Sequence, residues 1–319
     1  MPADYLILQA SPQNDAGSFS STFRPSDTQP GLDPEGRLID TSVAQDIADA
    51  VRDQTGTITS VTREKKKKAV PLPHCLSSLQ KAASSKFGMT AQQVLDTAQS
   101  LYEKKLTTYP RTDCRYLPEE QFGDAARLIT ALSGVSGLEA VTAKADSALR
   151  GPVWDTAKVT AHHAIIPTGE VPDGLNPEEH NIYLMLTTTY CLQFYPPMSY
   201  EAQKIVVSIN NTTWEARGRL ILELGWTGFA AEEDEDAKKK ETEQFLPPVN
   251  SGTPVTCADV DVLEKKTTPP SRFSEGSLID AMANIHRFIT DASAKTVLKE
   301  NEGIGTEATR AGIIETLKG

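Results

Sequence analysis

The spacing of apolar residues changes character several times along the chain. Tyr5-Leu6-Ile7-Leu8 is a short apolar block that predicts a strand. Residues 11–37 are rich in Ser, Pro, Gly, Asp and Gln with few apolar positions, and they are read as a long loop or insertion. Val43, Ile47, Ala48 and Val51 recur at helical spacing, which predicts a short amphipathic helix from Thr41 to Val51. Gly56 opens the β-branched run Thr57-Ile58-Thr59-Ser60-Val61-Thr62, a predicted strand. The following Arg63-Glu64-Lys65-Lys66-Lys67-Lys68 is read as a solvated hinge in preference to a DNA contact, and Pro71 and Pro73 mark a boundary.

From Ser77 to about Tyr195 the period is helical. Thr90 and Gln93 have the spacing of a reciprocal cap, ahead of a buried face of Val94, Leu95, Ala98, Leu101 and Tyr102. A second helix starts near Pro118 and Glu119, carries Phe122, Ala125, Leu128, Ile129 and Leu132, and ends at Gly134. A third opens at Asn176-Pro177, a cap followed by proline at the first position, with Ile182, Leu184, Leu186, Leu192 and Phe194 as its apolar content. After Pro196-Pro197 the segments 202–209, 213–224 and 255–263 are β-like, interrupted by an acidic and lysine-rich stretch over 232–243. These strands are expected to join the N-terminal ones in one β unit, with the helical block inserted between. Ser274 then caps a helix bearing Leu278, Met282, Ile285 and Ile289. Gly303-Ile304-Gly305-Thr306 approaches a last helix with Ile313, Ile314 and Leu317. Its free amides are either an anion site or a capping turn built on Thr306 and Thr309. The pattern stops at Gly319 inside a good helix, which is read as a cut chain.

Composition narrows the class. With 319 residues, the chain is long enough for two or three units with their own cores. No apolar run approaches the roughly 18 residues of a membrane helix, and no secretory signal is visible, so a cytoplasmic protein is expected. Cys75, Cys114, Cys191 and Cys257 are scattered, which argues against a zinc ribbon and a disulfide framework. The net charge of −11 does not advertise nucleic-acid binding, but net charge does not describe a local groove.

The richest chemistry lies in Leu106-Thr107-Thr108-Tyr109-Pro110-Arg111-Thr112-Asp113-Cys114-Arg115-Tyr116-Leu117-Pro118. Proline biases Tyr109 to an extended conformation and fixes its own φ. Two residues on, Arg111 points to the same side in an extended segment. A phenol and a guanidinium there face one anionic group, and phosphate oxygens match the guanidinium fork. The alternative for Tyr-Pro at a helix exit is plain packing and turn chemistry.

Three blocks in order give the segment a family likeness, strongest from Thr57 to the end. They are Lys105–Pro118, then Ala161-His162-His163-Ala164-Ile165-Ile166-Pro167-Thr168, and lastly Pro269–Leu278 with Gly303–Ala311. Together they resemble the type IA DNA topoisomerases, and among them the topoisomerase III branch. The resemblance implies single-strand cleavage by transesterification, a 5′-phosphotyrosine, passage of another strand and resealing without a nucleotide. It puts Tyr109 at the nucleophile, Arg111 at the phosphate-binding arginine and His162 at a histidine supporting cleavage; His163 receives no role. Thr309 falls on a position implicated in single-strand binding, with Arg115 and Arg310 as added phosphate contacts. The implied fold is α+β and multidomain, from a toroidal enzyme. Residues 1–70 and 199–266 are halves of a β-rich arch, 71–198 an inserted helix-turn-helix-like domain carrying the tyrosine, and 267–319 part of a helical base.

The chain also departs from the family. The Toprim domain, with the acids that hold Mg²⁺, is not found before Tyr5, so Mg²⁺ is expected only in the full-length enzyme and these 319 residues are expected to be inactive alone. His74-Cys75 stands where the family often has an aromatic residue. The expected substrate is DNA, mainly single-stranded, handled by a nucleoid-associated monomer with no membrane contact and with a helicase as partner of the full-length enzyme. A module that binds single strands without cutting them is the alternative. A metal-dependent tyrosine relaxase fits less well, because adjacent His162 and His163 would face opposite sides of a strand.

Overall fold

The computed structural model describes residues 2–229, 244–300 and 303–318. The acidic stretch expected to interrupt the strands lies outside them. The chain forms two units: one takes the described residues of Met1–Lys68, Pro197–Thr227 and Ala231–Ser271, the other those of Ala69–Pro196, Gly228–Ala230 and Arg272–Gly319.

The first unit is built on strands β1 (Asp4–Asn14), β2 (Gly17–Ser18), β3 (Ser21–Arg24), β4 (Thr55–Lys68), β5 (Met198–Ile209), β6 (Thr212–Glu223) and β7 (Pro254–Lys266). All their pairings are antiparallel. The order runs β2-β1-β3-β6-β5-β4-β7, and β1 also pairs with β7, so six strands close into a ring. Closure pairs most of what would otherwise be edge strands. Alternate residues point inward, and Leu8, Ala10, Ile58, Ile205, Val207, Trp214, Ala216 and Val260 form the core. Asn210 and Asn211, both at positive φ (46° and 61°), make the two-residue turn between β5 and β6. Gly56 is required where β4 passes β5, because a Cβ there would lie 2.5 Å from the Ile209 side chain. Helix α1 (Thr41–Val51), capped by Asp40, buries Ala44, Ala48 and Val51 against this core.

Two expectations are corrected in this unit. Residues 11–37 are not all loop: β1 continues to Asn14, β2 and β3 follow, and Phe19 and Phe23 are buried in the core. Their polar neighbours face outward, which disguised the alternation. The lysine run is not a hinge either. Arg63 to Lys68 pair with Gln203 to Met198, so the backbone is strand while the lysine heads stay in water.

The second unit is helical: α2 (Leu76–Phe87), α3 (Ala91–Glu103), a 3₁₀ turn (Glu119–Asp124), α4 (Ala125–Leu132), α5 (Glu139–Ala143), α6 (Pro177–Leu192), α7 (Glu275–Ala283), α8 (Ala292–Glu300) and α9 (Arg310–Lys318). The Thr90–Gln93 capping box forms, with bonds of 3.1 and 2.8 Å. Glu179 caps α6 with Asn176 and also clamps α3, accepting from Lys104 Nζ and Ser100 Oγ, both at 2.6 Å. Carboxylates from the C-terminal segment serve two further helix starts. Glu275 accepts from Ala91 N at 2.7 Å and Glu307 from Ser77 N at 2.6 Å, each satisfying an otherwise orphaned first-turn amide. Leu76, Leu95, Ile279, Met282, Ala311 and Ile314 pack beneath them. Helix α7 stops at Ala283, so Ile285 falls in a 3₁₀ turn and Ile289 beyond it, contrary to the continuous helix expected. Leu317 is exposed and Tyr102 is 40% exposed instead of buried.

Two outcomes follow for stability. Trp214 is fully buried, donates to Thr212 Oγ1 at 2.7 Å and lies 5.5 Å from the Phe23 ring. Trp214→Ala is expected to cost about 3–5 kcal/mol in urea denaturation. The hydrogen bonds from Lys104 and Ser100 hold the Glu179 carboxyl at about 2, below its ordinary 4.5. Its contribution, on the order of 3 kcal/mol, is complete above pH ~4.5 and is lost as the pH falls toward 2. The stability gap between wild type and Glu179→Gln should therefore narrow between pH 5 and pH 3.

Candidate active site

Helix α3 ends at Glu103, and Lys105 at φ 61° turns the chain out of the helix. The next dozen residues form no helix, and a second non-helical stretch supplies their partners. Thr108 N donates to Ile166 O (2.9 Å), and Ile166 N donates to Thr108 Oγ1 (3.0 Å). Thr168 bonds back through N to Leu106 O (3.1 Å) and through Oγ1 to Lys105 O (2.6 Å). Further along, Thr112 Oγ1 donates to His162 O at 3.2 Å, and Ala164 N donates to Tyr116 O at 3.0 Å. Leu117 N bonds to Val153 O at 3.0 Å, and Asp113 accepts from Thr160 Oγ1 at 2.8 Å. Tyr109 sits in the middle of this lacing.

The lacing brings Tyr109 and His162 together, with ring centroids 4.6 Å apart and planes at 47°. Tyr109 is half-buried and His162 exposed. Tyr102 also meets the Tyr109 ring edge-on, at 5.7 Å and 82°. Arg111 is exposed, and among the described residues its guanidinium has no hydrogen-bond or ion-pair partner. An unpaired, permanently charged fork stands two residues from an ordered phenol. Such a pair can take a phosphodiester, the guanidinium on its oxygens and the phenol on its phosphorus. His163, by contrast, turns its Nδ1 to donate to Ala164 O at 2.7 Å.

The remaining expected residues serve the chain itself. Arg115 donates Nε to Pro73 O (2.8 Å) and Nη2 to Leu72 O (2.6 Å), tying the motif to the approach of α2. Arg310 is 3% exposed and bonded to Ile304 O, Gly305 O and Glu307, so its guanidinium braces the turn before α9 instead of facing solvent as a phosphate contact must. Thr309 Oγ1 accepts from Thr306 N at 2.8 Å, which favours the capping turn over an anion site. Gly303 is needed in this turn, since a Cβ would fall 2.2 Å from Met282 O. His74 fills the position where an aromatic was expected. Its ring is buried, and burial, with the Arg115 charge adding to it, pushes its pKa down to about 4, so it is neutral packing at pH 7.

Sequence reasoning missed Tyr102 as a neighbour of Tyr109. Its place, seven residues upstream in the last turn of α3, allowed the inference in principle, but helical periodicity assigned it to the core. The bracing threonines 108, 112 and 160 gave no signal, because hydroxyls are at home in any loop. Among the described residues no group of three or more His, Cys, Asp or Glu side chains is disposed to hold a metal ion.

Comparison with known proteins gives the family. A family model described as DNA topoisomerase matches residues 1–319. DNA topoisomerase 3 of Vibrio cholerae is 39% identical over 327 residues, 99% of this chain and 50% of the relative, and that of Haemophilus influenzae is 38% identical over 332 residues at the same coverage. The Bacillus subtilis DNA topoisomerase 3 is 30% identical over 88% of this chain and 40% of its own length. Full-length topoisomerase I from Thermotoga maritima has a similar fold, with a TM-score of 0.66 and 22% identity over 99% of this chain and 47% of that one. The chain spans about half the length of the curated relatives it matches. It belongs to the DNA topoisomerase family, and within it to the type IA, topoisomerase III-like branch.

Proposed function

We propose that this chain carries the strand-cleaving tyrosine of a type IA DNA topoisomerase, and that Tyr109 is the nucleophile. The carrying observation is the Tyr109 phenol packed on His162, beside the unpaired Arg111, on a segment laced at both ends. In the proposed step Tyr109 Oη attacks a backbone phosphorus. The Oη–P bond forms, the P–O3′ bond breaks, the phenol proton is lost to solvent or a base, and the departing 3′ oxygen is protonated. The product is a 5′-phosphotyrosine and a free 3′-hydroxyl, and attack by that hydroxyl reverses the step. Because the diester is exchanged and not hydrolysed, resealing needs no nucleotide.

Arg111 holds the scissile phosphate and stabilises charge on its oxygens as the transition state develops. His162 positions the phenol by ring contact. The substrate is single-stranded DNA, and another strand passes while the break is open. In this reading the β unit is the arch and the helical unit carries the cleavage tyrosine with part of the base.

The full-length protein, incubated with a single-stranded suicide oligonucleotide and Mg²⁺, should form a covalent adduct that Tyr109→Phe abolishes. Adduct formation by Tyr109→Phe overturns the assignment, and binding without any adduct in the wild type points to a binding module. Arg111→Ala should slow cleavage by about 10²–10³-fold. Arg111→Lys should restore only part of that, since an ammonium lacks the fork.

A further inference from the structure

In an antiparallel ladder, residues directly opposite one another share a face. Ile205 and Ala216 point into the core of the β unit, so the alternate rows of β4, β5 and β6 point outward. Those rows are Thr62–Lys204–Arg217, Glu64–Ala202–Arg219 and Lys66–Tyr200–Ile221, with Glu215 in the preceding row and Arg24 of β3 beyond it. Among the described residues the face carries Arg24, Lys66, Lys204, Arg217 and Arg219 against Glu64, which pairs with Lys66 at 3.1 Å, and Glu215. In a chain of net charge −11 this surplus is not the background.

The cations are also ordered. Glu215, nearly buried, accepts from Arg217 at 2.6 Å, Lys204 at 2.8 Å and Arg24 at 3.2 Å. Burial raises its pKa, but the hydrogen bonds from Lys204 and Arg217 outweigh this and leave it at about 2, so the carboxylate stays charged. One carboxylate among three cations fixes their places and leaves two positive charges in excess. The Arg219 guanidinium stacks over the half-buried Tyr200 ring at 5.4 Å, next to Ile221, which is 43% exposed. Cations interleaved with an aromatic and an apolar side chain on an extended platform are what a single nucleic-acid strand requires.

We propose that the outward face of β4–β5–β6 is a second nucleic-acid contact surface, separate from Tyr109, in which Arg24, Lys204, Arg217 and Arg219 take backbone phosphates and Tyr200 takes a base. Charge complementarity selects the polyanion. The proposal rests on the reading that the chain handles DNA, but it requires no cleavage. The opposite side of the same strands supplies a control, since Lys65 and Lys67 lie on alternate positions of β4 and point the other way.

Anisotropy titrations of a labelled single-stranded deoxythymidine oligonucleotide against the full 319-residue chain, in the Tyr109→Phe background and over a range of KCl, test the idea. Arg217→Ala with Arg219→Ala should weaken binding about tenfold at low salt and reduce the log K–log salt slope by about 1.4, or 0.7 per lost phosphate contact. Lys65→Ala with Lys67→Ala removes the same charge and should change affinity less than about twofold, and Arg217→Lys with Arg219→Lys should keep the slope. The lysine pair also keeps the test valid if the alanine pair fails to fold: a lost slope with lysines in place overturns the proposal. Equal losses from the two alanine pairs, or none, overturn it as well. So does selective loss of poly-glutamate binding with oligonucleotide binding intact, which assigns the face to an acidic protein. Adduct formation is read in a different assay, so failure of the cleavage reading is distinguishable from failure of this one.

Discussion

A peptide group taken out of water must find a partner, and the stretch after α3 has no regular element to supply one. The chain from Lys105 to Leu117 meets this demand by bonding to residues 153–168, with threonine hydroxyls filling the gaps that backbone pairing leaves. This mutual satisfaction carries Tyr109 to His162 across more than fifty residues of sequence. It also explains why the two blocks are rich in Thr and Pro: one donates and accepts at short range, and the other removes donors that would lack partners. The site is stiff because its backbone has few unsatisfied alternatives.

Charge is sorted on the same principle. Glu179, Glu275, Glu307 and Arg310 are removed from solvent only where amides, hydroxyls or an opposite charge meet them. Arg111 escapes this sorting and keeps its donors free among the described residues, which distinguishes it from Arg115 four residues on. Two arginines in one motif thus have opposite employments, one holding the motif in place and one open to an anion.

Helices with capping signals were legible to the residue, as Thr90–Gln93 and Asn176-Pro177 show. Strands were legible where β-branched residues cluster, in 202–209 and 255–263, but not where polar residues occupy the outer face. That is why β2, β3 and the lysine half of β4 were missed. Tyr109, Arg111 and His162 stood out because their spacing resembles a known pattern. The contact of Tyr102 with Tyr109 was hidden because helical period places a residue on a face but does not show where that face stops being covered. Nothing in the identity of an arginine tells whether its donors will be taken by carbonyls, as those of Arg115 and Arg310 are.

Lys68 at the end of β4 pairs with Met198 at the start of β5. The two strands are thus a hairpin whose connection is the helical segment of residues 69–197. During synthesis β1 to β4 leave the ribosome long before β5, β6 and β7 exist, and at ~5–20 residues per second the interval is roughly 6–26 seconds. Through that time the apolar side of β4 and both its edges await partners, and the ring cannot close until the segment between has been made. The helices of residues 69–197 are thus made while β4 waits, but their own unit is complete only when Arg272–Gly319 follows β7, and the nascent strands are the part of the chain most in need of protection from aggregation.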